Sequence, residues 1–438
     1  MSFRKNHIDI ITMGCSKNLI DSERIFRRLI AKGYSVSHDP EEVAGEYVVV
    51  NTCGFISDAK QESIDMILNL GSLKEEGKIR QVIAMGCLTE RYRKTLQQEL
   101  PEIDLLYGKF DWDGFISGLP DVTEKPESPK AWERKLTTLP HHAYMKISEG
   151  CNRFCAFCAI PLITGRHRSR PIEEILEETR ELVASGVKEF NVIAQDLSSY
   201  GLDLYGRHAL SELIDRMADI EGVEWIRLHY AYPADFPLDV LDVMARRPNV
   251  CKYLDIALQH ISDSQLTAMR RKITKKETLE LLDEIRRRVP GIKIRTTLMV
   301  GFPGETDEDF AELLEFVRTQ KFARVGAFAY SEEDDTYAAM HLEDNVPQEV
   351  KEERLERLLN LTEGMETEMN RQMIGSQLTL MVDEVNEDGT RTCRSEYDSP
   401  DVDHIYTLYD SDALPGDMVR AEVSDIYALD LEAVEIED

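Results

Sequence analysis

The stretch EGCNRFCAFCAIP, residues 149–161, sets Cys151, Cys155 and Cys158 in a C-x3-C-x2-C array. Three thiolates are one short of the four protein ligands that close a structural zinc tetrahedron. No further cysteine or histidine follows within the next few residues; His167 is the nearest and stands in a basic run. Iron-sulfur clusters are held by thiolates in such tight runs, and a 4Fe-4S cluster on three of them keeps one iron open to a ligand from outside the chain. A second set of cysteines is spread out but repeats one phrase, an apolar stretch ending in a cysteine beside glycine and followed by a helical pattern. The three copies are IDIITMGC before SKNLIDSERIFRRLIAKG, YVVVNTCG before SDAKQESIDMILNL, and QVIAMGC before LTERYRKTLQQEL. Cys251 and Cys393 fit neither set, and buried structural thiols are expected there.

The elements that must carry these residues follow from the apolar pattern. Three strand-helix phrases predict a parallel-sheet α/β domain over residues 1–116, with Cys15, Cys53 and Cys87 at equivalent strand ends along one edge. Residues 117–140 are polar and proline-punctuated, as a linker would be. Six strand-helix units follow, with strands at 144–150, 190–196, 224–230, 253–259, 293–301 and 325–331. They predict a partial (βα)6 TIM-like barrel, with its chemistry at the C-terminal ends of the strands. The cysteine array comes directly after the first of them. Residues 347–375 predict a connecting amphipathic helix with Leu355, Leu358, Leu359 and Met365 on one face, which closes the second domain at 141–375. From 376 to 438 the apolar period is two, which predicts a small all-β barrel.

The bulk numbers set the frame. A chain of 438 residues calls for two to four domains. Eight cysteines are too few and too ordered for a disulfide scaffold, and the reading is of a cytoplasmic chain. No apolar run approaches the roughly 18 residues of a membrane-spanning helix, so no membrane partner is expected. The opening MSFRKNHIDIITMGC reads as a first strand rather than a lipoprotein leader, because Asp9 interrupts its short apolar run. The formal net charge is -30.

A C-x3-C-x2-C array after the first strand of a six-unit barrel resembles the radical S-adenosylmethionine superfamily. The resemblance implies that the open iron is chelated by S-adenosylmethionine, whose reductive cleavage gives a 5'-deoxyadenosyl radical that abstracts hydrogen from an unactivated C–H bond. With MGC, NTCG and MGC ahead of the barrel and a small β domain behind it, the whole chain resembles the methylthiotransferases of that superfamily. Their pattern implies a second 4Fe-4S cluster on Cys15, Cys53 and Cys87, and an OB-like TRAM domain at the end of the chain. GFPGET, with Gly301 and Gly304, resembles the loop that approaches the adenosine moiety, and it lacks the Lys-Ser/Thr of a P-loop. Gln195 and Asp196 end the second barrel strand, where the superfamily sets polar groups against the methionyl end of the cosubstrate; a strand-end cap is the plain alternative. Phe154 and Phe157 either shield the cluster or pack in the core. Arg166, Arg168 and Arg170 either hold a carboxylate or form a solvated basic turn. His229 and His260 are expected to be structural.

Methylthiotransferases act either on an adenosine of transfer RNA or on an aspartate of a small-subunit ribosomal protein. A TRAM domain points toward RNA, but residues 376–438 carry 18 acidic residues against Arg391, Arg394 and Arg420. A net of -15 repels a phosphate backbone and attracts a basic protein, which it would steer toward the barrel mouth. The wording of SEGCNRFCAFCAIP, GRHRSRP, ALQHISD and RSEYDSPDVD also resembles the ribosomal-protein kind. That resemblance implies a basic ribosomal protein as substrate, free or in the ribosome, and an electron donor such as flavodoxin or ferredoxin. The alternatives are a transfer RNA methylthiotransferase, or a non-enzymatic iron-sulfur carrier or zinc scaffold.

Overall fold

The computed structural model describes residues 3–436, which fall into two compact units. The first runs to Thr138 and includes Gly150–Asn152 and Cys158–Arg166; the second holds Leu139–Glu149, Arg153–Phe157 and the chain from His167 onward.

In the first unit the strands β1 (Arg4–Thr12), β2 (Ser35–His38), β3 (Gly45–Thr52), β4 (Gln81–Gly86) and β5 (Leu105–Leu106) form one parallel sheet in the order β2-β1-β3-β4-β5. Both faces are covered, which is why its strands read as near-continuous apolar runs. Ile8, Ile10, Val49 and Ile83 pack on one side with Ile25 and Leu29 of helix α1 (Ser16–Ala31). Val48, Val50 and Val82 pack on the other with Ile67 and Leu70 of α2 (Ser57–Glu75) and Leu88 and Leu96 of α3 (Cys87–Glu99). The chain reverses its direction of winding between β1 and β3, and a crevice at the carboxyl ends of those strands is where such sheets bind ligands.

The stretch read as a linker, 117–140, is strapped to α1 instead. Glu127 N donates to Ala31 O and Lys135 N to Glu23 O, at 3.0 and 3.1 Å. The Glu23 carboxylate is fully buried, where it pairs with Arg134 at 2.6 Å and accepts from Thr137 N at 2.8 Å. An unpaired carboxylate at that depth would be strongly unfavourable, so the strap and the helix specify each other.

In the second unit β6 (His142–Lys146) leads into a small antiparallel pair, β7 (Ser148–Glu149) with β8 (Arg168–Ser169). Then come β9 (Glu189–Ile193), β10 (Trp225–Ala231), β11 (Val250–Gln259), β12 (Lys293–Val300) and β13 (Arg324–Ala329). The parallel order β13-β12-β11-β10-β9-β6 is the six-stranded partial barrel expected. Its open edge, β13, is covered by the helix Gln348–Arg371. The buried stripe of that helix is Lys351, Arg354, Leu358, Thr362, Glu366 and Asn370, so of the four residues expected to form its inner face only Leu358 is fully buried. The stripe is polar because it meets backbone: Glu366 accepts from Val325 N at 3.2 Å, satisfying a donor of the edge strand.

The remaining strands, β14 (Gln377–Val385), β15 (Arg391–Ser395), β16 (Tyr406–Tyr409), β17 (Met418–Tyr427) and β18 (Asp430–Glu435), close a small barrel around Leu380, Val382, Tyr406, Leu408, Val423 and Leu431. It docks on the N-terminal ends of the large barrel's strands through buried charge. Glu189 at the start of β9 pairs with Arg227 and, at 2.8 Å, with Arg394; Arg394 also pairs with Asp383 at 2.6 Å, and Asp383 with His141 at 2.8 Å. The loop between β15 and β16 adds Asp398 on Arg324 at 3.0 Å and Asp403 on Tyr253 at 2.8 Å, while Tyr144 donates to Asp401 at 2.8 Å. This corrects the charge argument in one respect. The acidic domain lies at the strand ends opposite those that carry the chemistry, and several of its carboxylates neutralise the barrel floor rather than line the mouth.

Candidate functional site

Cys15 is the N-cap of α1, Cys53 follows β3, and Cys87 opens α3 after β4, so all three occupy the carboxyl edge of adjacent strands. Two of them sit at helix N-termini, where the dipole favours negative charge on sulfur. Glycines let the loops approach one another. A Cβ on Gly14, which has φ +88, would lie 2.7 Å from Cys53 Sγ, and one on Gly54 would lie 2.6 Å from the Leu88 backbone beside Cys87. Burial pushes the Cys53 thiol up, and pushes that of Cys87 up to about 12 although Lys109 opposes it; the neighbouring thiols raise both further. Among the described residues, however, no three Cys, His, Asp or Glu side chains converge as they would on a single metal ion.

Asn18 is the residue of this edge that the sequence reading missed. It is 1% exposed and donates to Met13 O and Thr52 O, each at 3.1 Å, while its side-chain oxygen lies 3.5 Å from Cys87 Sγ. It therefore ties the ends of β1 and β3 to the third cysteine. Ser63 of α2 performs the same service for Cys53, accepting from its N–H at 3.0 Å and donating to its carbonyl at 3.2 Å. Replacing Asn18 with leucine removes a donor from two buried carbonyls, a cost of about 1–3 kcal/mol for each one left unsatisfied. We expect Asn18→Leu to lower reconstituted iron from about eight toward about four per chain, read by iron analysis.

The array after β6 is held by tight turns. Cys151 N donates to Gly165 O at 3.2 Å, and Gly150 takes φ +82 where a side chain would strike the backbone of Arg166. Cys151 and Cys158 count with the first unit and Cys155 with the second. Around Cys155, Arg271 Nη1 lies 3.3 Å from Sγ, and Tyr232 Oη lies 3.9 Å from it. Phe157 packs edge-on against Phe302 at 6.3 Å in an apolar cluster with Met269 and Met299, so it is core. Phe154 is 46% exposed with φ +52 and is not.

Gln195 and Asp196 lie past the end of β9 at Ile193, and Asp196 caps the 3-10 turn Leu197–Ser199: it accepts from Ser198 N at 3.0 Å and from Ser199 Oγ, and pairs with Arg153 Nε at 2.7 Å. Both oxygens are thus used within the chain, and the carboxylate holds the cysteine loop through Arg153. Gln195 Nε2 donates to Glu149, which pairs with Lys146 at 2.8 Å; Gln195 Oε1 is buried with no partner among the described residues. Gly301 and Gly304 have φ +70 and +83, and nothing lies within 4 Å of a Cβ placed on Gly304. Glu305 secures their turn, accepting from Gly301 N and meeting His260 at 3.1 Å and Arg354 at 2.8 Å. His260 is accordingly structural, as is His229, which bonds Asn191 at 3.2 Å. Arg170 is structural too: it pairs with Glu174 and Glu178 at 2.8 and 2.7 Å and donates to Lys146 O. Cys251 and Cys393 are buried in apolar clusters, and burial pushes each thiol up to about 12.

Comparison with known proteins agrees with this architecture. Residues 145–317 match the radical SAM superfamily, residues 7–108 match "Uncharacterized protein family UPF0004", and residues 374–436 match the TRAM domain. Among solved structures, a radical S-adenosylmethionine methyltransferase from Kitasatospora setae with cobalamin and a 4Fe-4S cluster bound shares the fold at TM-score 0.56. It is 15% identical, covering 77% of each chain. Curated relatives are much nearer. Ribosomal protein uS12 methylthiotransferase RimO of Parabacteroides distasonis is 55% identical over 98% of both chains. The protein of that name in Porphyromonas gingivalis is 54% identical over 98% of this chain and 99% of its own. A radical S-adenosylmethionine methylthiotransferase accounts for the barrel and the terminal β domain together. At that identity from end to end, the chain belongs to the RimO family of radical S-adenosylmethionine methylthiotransferases.

Proposed function

We propose that this chain, acting in the cytoplasm, places a methylthio group on the β-carbon of an aspartate of the small-subunit ribosomal protein uS12, with S-adenosylmethionine as both radical source and methyl donor. The observation that supports it most is the full-length likeness to relatives bearing that name. The surface of the C-terminal barrel supports the choice of a basic protein over transfer RNA. Of its three arginines, Arg394 is buried and Arg391 half-buried, while Glu384, Glu387, Asp388, Asp410, Asp412, Glu422, Asp425 and Glu435 are exposed. A phosphate backbone gains affinity by pairing with Lys and Arg, and this surface offers it carboxylates.

In this reading residues 1–116 carry the auxiliary cluster, 141–375 the radical chemistry and 376–438 the TRAM barrel. Cys15, Cys53 and Cys87 hold one cluster, and Cys151, Cys155 and Cys158 hold the other. When bound, the clusters supply the electron for cosubstrate cleavage and the site where sulfur is presented. The chain's own residues position. With the cosubstrate bound, Gln195 Oε1 would accept from the methionyl ammonium and the Gly301–Gly304 turn would give the adenosine close access to backbone, while Asp196 steadies the cysteine loop through Arg153. Electrons come from a flavodoxin or ferredoxin.

The test is to incubate the reconstituted enzyme separately with uS12 and with transfer RNA, and to look for the mass of an added methylthio group. Modification of uS12 alone is expected. Modification of transfer RNA alone would refute the substrate assignment.

A further inference from the structure

Within the barrel, Cys155 is met by a cation that the reaction scheme above does not use. Arg271 is 3% exposed, and its Nη1 lies 3.3 Å from Cys155 Sγ. Its Nη2 donates to Ala257 O, and its own carbonyl accepts from Tyr232 Oη at 2.5 Å. The Tyr232 ring packs against two guanidinium groups, its centre 4.2 Å from that of Arg271 and 4.3 Å from that of Arg153. The two arginines differ in one respect. Arg153 is neutralised by Asp196 at 2.7 Å and Asp235 at 3.2 Å, whereas no carboxylate among the described residues pairs with Arg271, whose Nε is also buried without a partner.

A buried guanidinium without a counter-ion is strongly unfavourable, yet the fold fixes this one in place. Arg270 and Lys272 on either side take φ +58 and +54, and Arg271 N donates to Leu266 O at 2.9 Å. Ala156, next to Cys155, donates from its backbone N to Met269 O at 2.9 Å, which binds the cysteine and the arginine into one turn. The acceptor that balances this charge is the sulfur itself, once it is a thiolate on an iron cluster.

We propose that Arg271 is a positioning residue that sets the reduction potential of the cluster bound through Cys155. The step concerned is addition of one electron to that cluster from a low-potential one-electron donor, reduced flavodoxin or ferredoxin in the cell. The added electron increases the negative charge on the cluster and its sulfurs. A hydrogen-bonded cation in a dry site stabilises the reduced form more than the oxidised one, which raises the potential. Tyr232 keeps the guanidinium in register with the sulfur. The inference rests on the reading of Cys155 as a ligand.

The test uses the full-length chain carrying Cys15→Ala, Cys53→Ala and Cys87→Ala, so that only one cluster assembles, with iron analysis and a potentiometric titration followed by electron paramagnetic resonance. In Arg271→Gln the equilibrium constant for one-electron reduction is expected to fall at least tenfold, a downward shift of about 59 mV or more. Arg271→Lys, which keeps the charge, is expected to shift less, and Tyr232→Leu, which frees the guanidinium, to shift in the same direction. Full iron with an unmoved midpoint in Arg271→Gln overturns the proposal. If that variant loads no iron, an unmoved midpoint in both Arg271→Lys and Tyr232→Leu overturns it. Cys155→Ala that still loads a complete cluster overturns the ligand reading instead, which separates the two failures.

Discussion

Replacing Cys155 with alanine is expected to reduce cleavage of S-adenosylmethionine to the level seen without protein, measured as 5'-deoxyadenosine and methionine under strong reductant. Replacing Cys53 is expected to leave most of that cleavage while stopping methylthiolation of uS12. The reason lies in what each thiol holds. Cys155 stands in the turn that Arg271 and Tyr232 enclose, at the carboxyl end of the barrel where cosubstrate chemistry belongs. Cys53 follows β3 in the N-terminal sheet, with its backbone clamped by Ser63 and its sulfur against Gly14. Each single loss is expected to remove about four irons per chain, so iron analysis checks the assignment independently of turnover. Retention of full methylthiolation by both variants would contradict the division of labour.

Glu189→Gln is expected to cost about 3–5 kcal/mol of stability, because it leaves Arg227 and Arg394 buried without their shared carboxylate. Denaturant unfolding of the variant beside the parent checks this. The same network gives stability a defined dependence on pH. Burial alone would raise the Glu189 carboxyl, but Arg394 and Arg227 outweigh it and hold the group below its ordinary value; His141 and Arg394 do the same for Asp383. Groups held low in the folded chain stabilise it above their unfolded values, near 4, and that contribution is lost as pH falls through and below them. His142, which burial keeps neutral, adds a loss that begins below about 6.5. Asp398 runs the other way: burial raises it, so its contribution is present below about 3.9 and lost as pH rises, which opposes the others. The parent is therefore expected to lose stability between about pH 6 and pH 3, and Glu189→Gln to lose less over the same range.

Much of this was legible in the sequence because it rests on local pattern. Apolar runs ending in Gly-Cys or Cys-Gly give the strand ends of the first sheet, and the alternating apolar residues after 376 give the closed barrel. What escaped was polar and long-range. Leucine spacing points to Leu355, Leu358, Leu359 and Met365 as the inner face of the helix Gln348–Arg371, but Glu366 is turned inward to meet the N–H of Val325 on the sheet edge, which no periodicity announces. Asn18 did leave a trace. Asn18, Ser22, Ile25 and Leu29 recur at helical spacing, so polar side chains occupy the start of a buried stripe. Arg271 left none, since its partner lies 116 residues away. The ion pairs that join Glu189 to Arg394 span 205 residues, and nothing about either residue alone foretells the other.

The carboxylates beneath the large barrel bear on how such enzymes can be recombined. An exchange of residues 376–438 for another small β barrel would withdraw the partners of Glu189, Arg227, Tyr253 and Arg324 in a single step. A grafted barrel would have to bring an arginine for Glu189 and acids for Tyr253 and Arg324, or the recipient would have to lose those residues. The terminal barrel thus serves as a foundation for the large one, and a chimera that respects only its outer surface is expected to lose stability through the buried charges it leaves unmatched.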